Sequence, residues 1–169
     1  ETYAEELGRR LVERGHEVLV SCRRHLYGQR PSSYHGISLI YPAGVPGRAT
    51  DTLSHTLCSI LPVAKWRPDV VLMCNVANSP LAPLFNAIGL RVVINVDGLE
   101  WKRKKWGPAG RAYYRWAEVV ACATGCRLIA DSRAIRDYYL RRYRRETVFI
   151  PYGARLASSR NPGILRQYG

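Results

Sequence analysis

The run NVDGLEWKRKKWG, from Asn95 to Gly107, places two carboxylates, a glycine, four consecutive cations and two tryptophans directly after an apolar segment. An ionised carboxylate only accepts hydrogen bonds, so Asp97 suits the hydroxyl groups of a polar ligand. Glu100 is the second carboxylate of the run, and burial that raises its pKa would make it a general base. These two are the candidate catalytic groups. Gly98, between them, permits a positive φ or a close backbone approach. Lys102, Arg103, Lys104 and Lys105 together would attract a diphosphate through charge and several N–H donors. Trp101 and Trp106 offer flat faces for stacking on a ligand ring, or anchors at a membrane interface. The plainer alternative is a solvated basic loop with one tryptophan packed beneath it.

Further polar residues follow other apolar runs. Asn75 and Asn78 come after Val70–Cys74, Ser132 comes after Arg127–Ala130, and Tyr152 and Gly153 come after Thr147–Ile150. Such side chains can hydrogen-bond ligand hydroxyls, although helix capping and turn formation compete for the same groups. His55 lies one step off a helical leucine stripe and reads as a boundary residue. The five cysteines are odd in number and scattered. Cys122 and Cys126 form a lone C-x3-C, and no His/Asp/Glu cluster has metal-ligand spacing, so no metal site is expected. Free cysteines and the lack of a signal-peptide pattern point to a reducing, cytoplasmic setting.

The elements that must position these residues alternate in type. Tyr3, Leu7, Leu11 and Val12 recur at helical spacing up to Gly15, and Glu17–Cys22 and Ile37–Tyr41 read as strands. After the loop Pro42–Gly47, Asp51 is the expected N-cap of a helix with Leu53, Leu57, Leu61 and Ala64 inward, which Pro62 should bend or weaken. Val70–Cys74 is a strand. Ser79-Pro80 should open a helix burying Leu81, Leu84, Phe85 and Ile88, which Gly89 ends. Arg91–Val96 is the next strand, then a helix from Ala112 to Cys122 with Tyr113, Trp116, Ala117 and Val120 inward. The strand Arg127–Ala130, a helix capped by Ser132 with Ile135, Tyr138 and Tyr139 inward, and the strand Thr147–Ile150 complete the set. Strands apolar on both faces, separated by helix-sized crossovers, predict an α/β domain with a doubly wound parallel sheet. In such sheets ligands bind beyond the carboxyl ends of the strands, where the polar candidates gather.

At 169 residues the chain supports one substantial core. Its formal net charge of +13 favours anionic partners: nucleic acid, lipid headgroups or nucleotide phosphates. The sequence carries neither an aromatic RNP-type strand nor a helix-turn-helix signature, so nucleic acid ranks last. No apolar run approaches the roughly 20 residues that a membrane span needs.

The stretches ETYAEELGRRLVERGHEVLV, DTLSHT, DVVLMCNVANSP, VVINVDGLEWKRKKWG, RLIADSRAIRDYYL and FIPYGA together resemble the N-terminal half of a bacterial family-four-type glycosyltransferase, in particular its rhamnosyltransferase subset. The resemblance implies one incomplete half of a GT-B fold, two facing Rossmann-like domains with the active site in the cleft. It places a Rossmann-like domain at residues 1–155, lacking its first strand and glycine-rich loop. Residues 156–169 would begin the linker to a missing donor-binding domain. The implied activity is a retaining transfer of a hexosyl or deoxyhexosyl group, rhamnosyl for instance, from a nucleotide sugar to a glycan or lipid-linked acceptor. This chain would be the acceptor-binding part and inactive alone. No cofactor is implied, the nucleotide sugar being a co-substrate. Polysaccharide biosynthesis at the inner face of the plasma membrane, with peripheral membrane contact, is the implied setting. Relatives often carry a histidine in the loop that reads Asp97-Gly98 here, so that role does not carry over. The alternative is a non-catalytic subunit or binding module that needs a partner domain.

Overall fold

The computed structural model describes residues 2–47 and 50–153. Helix α1 (Thr2–Glu13) leads into β1 (Leu19–Ser21), and a short hairpin forms β2 (Ser33–Tyr34) and β3 (Ile37–Ile40). Helix α2 (Thr50–Trp66) crosses to β4 (Val71–Met73), followed by a 3-10 turn at Val76–Leu81 and α3 (Ala82–Ala87). Then come β5 (Val92–Asn95), α4 (Pro108–Ala123), β6 (Arg127–Ala130), α5 (Arg133–Tyr143) and β7 (Val148–Phe149). The residues expected to form the linker, 156–169, lie outside the described ones.

The strands form two sheets. One has the order β4-β5-β6-β7 and is parallel throughout, with Met73 beside Ile94 and Asn95 beside Ile129. The other has the order β1-β3-β2, parallel between β1 and β3 and antiparallel at the hairpin. The α/β class and its parallel sheet agree with the pattern of apolar runs and crossovers. The core belongs to the four-stranded sheet: Ile94, Val96, Leu128 and Ala130 are buried against Phe85, Tyr114, Ala121 and Tyr139. In the three-stranded sheet only Ile37 is a fully buried hydrophobe. Between the two sheets lies a cavity of about 410 Å3, lined by Leu7 and Leu11 of α1, Val20 of β1, Val63 of α2 and Leu72 of β4.

Several sequence expectations fail on helix faces and caps. Asp51 sits inside the first turn of α2 and not at its N-cap, with its carboxylate 3.2 Å from the Arg23 guanidinium. The helix runs through Pro62 to Trp66. Leu57 and Leu61 are exposed, because α2 turns His55 and Ser59 toward β1. In α3, Phe85 and Ala82 are buried while Leu84, and Ile88 just past the helix, face outward. Ser79 caps no helix. It lies in the 3-10 turn, fully buried, and donates to the Ala117 carbonyl at 2.6 Å. Helix α4 begins at Pro108, four residues earlier than expected, and exposes Trp116 while burying Glu118. Ser132 does cap α5, its hydroxyl accepting from the Ile135 amide.

Candidate functional site

Strand β5 carries the centre of the site. Asn95, its last residue, is 1 % exposed although flanked by apolar neighbours. Its side-chain amide donates to the Tyr152 hydroxyl at 3.0 Å, tying the end of β5 to the segment after β7. The Tyr152 ring packs edge-on against Tyr3 of α1, with centroids 5.0 Å apart. The start of α1 and the carboxyl ends of β5 and β7 therefore meet on one rim.

Asp97 sits on this rim, two residues beyond Asn95. Burial raises its carboxyl pKa to about 6, and the nearby carboxylates of Glu100 and Asp131 add to the rise. Its own backbone amide and the Arg103 guanidinium oppose the shift. Among the described residues, the buried oxygens Asn95 Oδ1 and Asp97 Oδ1 have no hydrogen-bond partner. Buried acceptors are ordinarily satisfied by protein, ordered water or a ligand, so both oxygens can accept from the hydroxyls of a polar ligand. Gly98 follows with φ of +139°, a backbone region that only glycine occupies without strain. That turn swings the chain away from the rim into the 3-10 turn Glu100–Lys102.

Glu100 faces its own loop. It is 7 % exposed, and its carboxylate accepts from Arg103 Nε at 2.8 Å, Lys105 Nζ at 3.1 Å and Trp106 Nε1 at 3.2 Å. Three donors on two oxygens make it the anchor of the basic loop, whereas the sequence suggested a general base. The two tryptophans expected to be free platforms are half-buried against the core. The Arg115 guanidinium lies 4.4 Å from the Trp101 ring, with the Lys102 ammonium at 5.4 Å. Trp106 packs on Tyr114 with the Lys105 ammonium 5.1 Å from its ring. Lys104 extends outward as an exposed cation.

The remaining predicted residues hold the rim's supports. Asn75 lies two residues beyond β4, and its side-chain oxygen accepts from the Ala77 amide at 2.7 Å, capping the 3-10 turn. Asn78 Oδ1 accepts from the Thr56 hydroxyl at 2.9 Å and so links that turn to α2. Ser132 is spent on its helix cap, next to Asp131. Tyr152 joins Asn95, and the exposed Gly153 follows it. The structure thus brings Asp97 and Tyr152 together, whereas Asn75, Ser132 and Glu100 bond within their own turns and Asn78 bonds to α2.

Sequence reasoning missed Tyr3 and Asn95. An amide as the last residue of an otherwise apolar strand was the available signal for Asn95. It also missed a hydrogen-bonded group at the end of β1, where Ser21 Oγ lies 3.1 Å from His55 Nε2 and 2.8 Å from Ser59 Oγ. Burial lowers the His55 pKa, which favours the neutral ring. These residues line the cavity between the sheets together with Tyr3, Cys74 and Asn78, so cavity and rim share a border. Among the described residues, no group of three or more His, Cys, Asp or Glu side chains could hold a metal ion. No helix among them is long and apolar enough to cross a membrane.

An acidic, glycine-bearing rim at the carboxyl ends of a parallel sheet is where α/β domains bind polar ligands. No curated protein matches the sequence. Residues 1–153 match the Glycosyl transferase 4-like domain, and with that coverage the chain belongs to this family of glycosyltransferase domains.

Proposed function

We propose that this chain is the acceptor-binding part of a retaining GT-B glycosyltransferase. The intact enzyme moves a hexosyl or deoxyhexosyl group, rhamnosyl in the favoured version, from a nucleotide sugar to a glycan or lipid-linked acceptor in bacterial polysaccharide synthesis. The observation that carries the proposal is the pair of buried, unpartnered acceptor oxygens on Asn95 and Asp97. Two acceptors on residues two apart at the end of one strand suit the hydroxyls of a sugar, each of which donates one hydrogen.

In the transfer, the acceptor hydroxyl oxygen forms a bond to the anomeric carbon and the anomeric C–O bond to the diphosphate breaks. The hydroxyl proton must leave as this happens. Asp97, with a pKa of about 6, is mostly ionised at neutral pH and is still a better proton acceptor than an ordinary aspartate. Tyr152 and Asn95 orient the hydroxyl, and Gly98 lets the acceptor approach the backbone. Glu100 acts by holding Arg103 and Lys105 in place, while Lys102 and Lys104 draw in the diphosphate of the donor or of a lipid-linked acceptor. Asn75, Asn78 and Ser132 shape the rim, with Gly153 at its open end. The nucleotide sugar itself is held by a facing donor-binding domain, and transfer takes place where lipid-linked acceptors are made, at the inner face of the plasma membrane.

Binding of oligosaccharide and lipid-linked glycan panels to the chain, followed by saturation-transfer NMR, tests the reading. Asp97→Asn should bind the acceptor within a few-fold of the parent, and in the enzyme completed by a donor-binding domain it should lower kcat by roughly 100-fold or more with little change in KM. Loss of KM alone, or no glycan binding at all, would sink the proposal. A non-catalytic module would bind glycan equally well with Asp97→Asn and show no dependence of transfer on that residue.

A further inference from the structure

The parallel ladder sets Asn95 beside Ile129, and Ile129 beside Val148. Asp97 and Asp131 each follow two residues later, so two half-buried carboxylates stand past the ends of neighbouring strands, which run about 4.8 Å apart. The Asp131 charge acts on both Asp97 and Tyr152. Tyr3, in the first turn of α1, faces the Asp97 charge as well, and its ring meets the edge of Tyr152, which is 49 % exposed. The rim therefore combines unpartnered acceptor oxygens, aromatic faces and negative charge. That sign is opposite to the +13 of the whole chain. The exposed Lys102 and Lys104 come after the Gly98 turn, and Arg103 is paired with Glu100 at 2.8 Å. The Arg103 guanidinium weighs on Asp97 less than either the Glu100 or the Asp131 carboxylate does.

We propose that the rim takes a pyranose without an acidic group, laid against the rings of Tyr152 and Tyr3 with hydroxyls toward Asn95 and Asp97, and that Asp131 is a specificity residue that turns away sugars bearing a carboxylate. The inference rests on the reading of the rim as a sugar site. The C–H face of a pyranose is apolar and suits an exposed aromatic ring. The buried oxygens of Asn95 and Asp97 need donors, which hydroxyls supply and an ionised carboxylate does not. A uronic acid would also bring a further negative charge beside Asp97 and Asp131, and such like-charge juxtaposition suppresses the wrong partner. The charge of an acceptor is then sorted along its length. A diphosphate carrier meets Lys102 and Lys104, while the sugar meets the acidic rim.

The test is saturation-transfer NMR titration of the chain with methyl glycosides in matched pairs, glucoside against glucuronoside and galactoside against galacturonoside, at pH 7.5. Each uronoside should bind about tenfold more weakly than its neutral partner, as a like charge at a partly solvated rim requires. Asp131→Asn should narrow that ratio to about threefold, whereas Asp131→Glu, which keeps the charge, should preserve it. A variant that merely loosened the fold would weaken both members of a pair alike, so the ratio reports charge. Tyr3→Ala should weaken the neutral glycosides about fivefold, and Tyr3→Phe, which keeps the ring, should stay within about twofold of the parent. Circular dichroism melts will show that the variants fold. Uronosides bound as tightly as their partners would overturn the inference and leave the sugar site standing, as would a ratio indifferent to Asp131→Asn. Neutral binding untouched by Tyr3→Ala would overturn it too. No binding of either member of a pair would refute both readings.

Discussion

At the scale of the residue, Asp97 ties the chemistry of the rim to its stability. Its folded pKa of about 6 lies above the ordinary carboxylate value because burial disfavours the charged form. The sign follows directly. Folding favours protonated Asp97, so its contribution is fully present below about pH 4 and is lost as pH rises through about 6. At pH 7.5 the buried charge is a net cost that a neutral side chain of the same shape avoids. Asp97→Asn should therefore raise stability by roughly 1–2 kcal/mol at pH 7.5, after discounting for solvent screening, and by almost nothing at pH 3.5. Urea melts at the two pH values check this, and a gain that does not depend on pH would contradict it. A residue that costs stability in its working form is what a functional carboxylate looks like. Glu100 contrasts with it. The two acids were indistinguishable in the sequence, being three positions apart in one loop. Their separation depends on Gly98, whose positive φ sends Asp97 to the rim and Glu100 back onto Arg103, Lys105 and Trp106.

At the scale of the element, the order of helices and strands could be read from periodicity, whereas the face each helix buries often could not. β6 lies at its expected residues, and Ser132 caps α5 as its residue type suggests. Helix α4 buries Ala117 and packs Tyr113 on the core as expected, but puts the tryptophan outside and the glutamate inside. The reason lies on α5. Glu118 Oε2 accepts from the Tyr138 hydroxyl at 2.9 Å and from the Tyr143 hydroxyl at 2.7 Å, partners that local patterning cannot reveal. Burial raises the Glu118 pKa, and the two hydroxyls pull it back. The seam between α4 and α5 is therefore specified by one carboxylate and two phenols. Glu118→Ala would leave both hydroxyls without their acceptor and open a void, costing roughly 3 kcal/mol. Glu118→Gln keeps an acceptor for them and removes the buried charge, so it should come within about 1 kcal/mol of the parent. Chemical denaturation of the pair checks this, and equal losses for Ala and Gln would mean that the hydroxyl contacts do not matter. The leucine stripe of α2 misled in a similar way, since Ser21 draws His55 and Ser59 inward and turns Leu57 and Leu61 out.

At the scale of the whole molecule, the division into two sheets has consequences that no single element carries. Among the described residues β1 pairs only with β3, and β4 only with β5, so each presents one side without a strand partner there to the cavity of about 410 Å3 between them. Ladder bonds alternate along a strand. The Cys22 amide bonds toward β3 and the Val71 amide toward β5, so the amides of Ser21 and Leu72 point the other way, into the cavity. The walls combine the apolar side chains of Leu7, Leu11, Val63 and Leu72 with the polar ones of Ser21, His55, Ser59 and Asn78. A slot between two open strand edges is a template for pairing with another extended segment. Hydrogen exchange should find the Leu19, Ser21 and Leu72 amides exchanging far faster than those of Val93 and Ile94, which lie between β4 and β6 in the fully paired sheet. The same edges should make the chain self-associate, with sedimentation coefficients rising with concentration and thermal unfolding broadened. A monomer that melts cooperatively, with cavity-facing amides as protected as those of β5, would show that the two edges close on each other in solution. The slot would then be no acceptor of a strand.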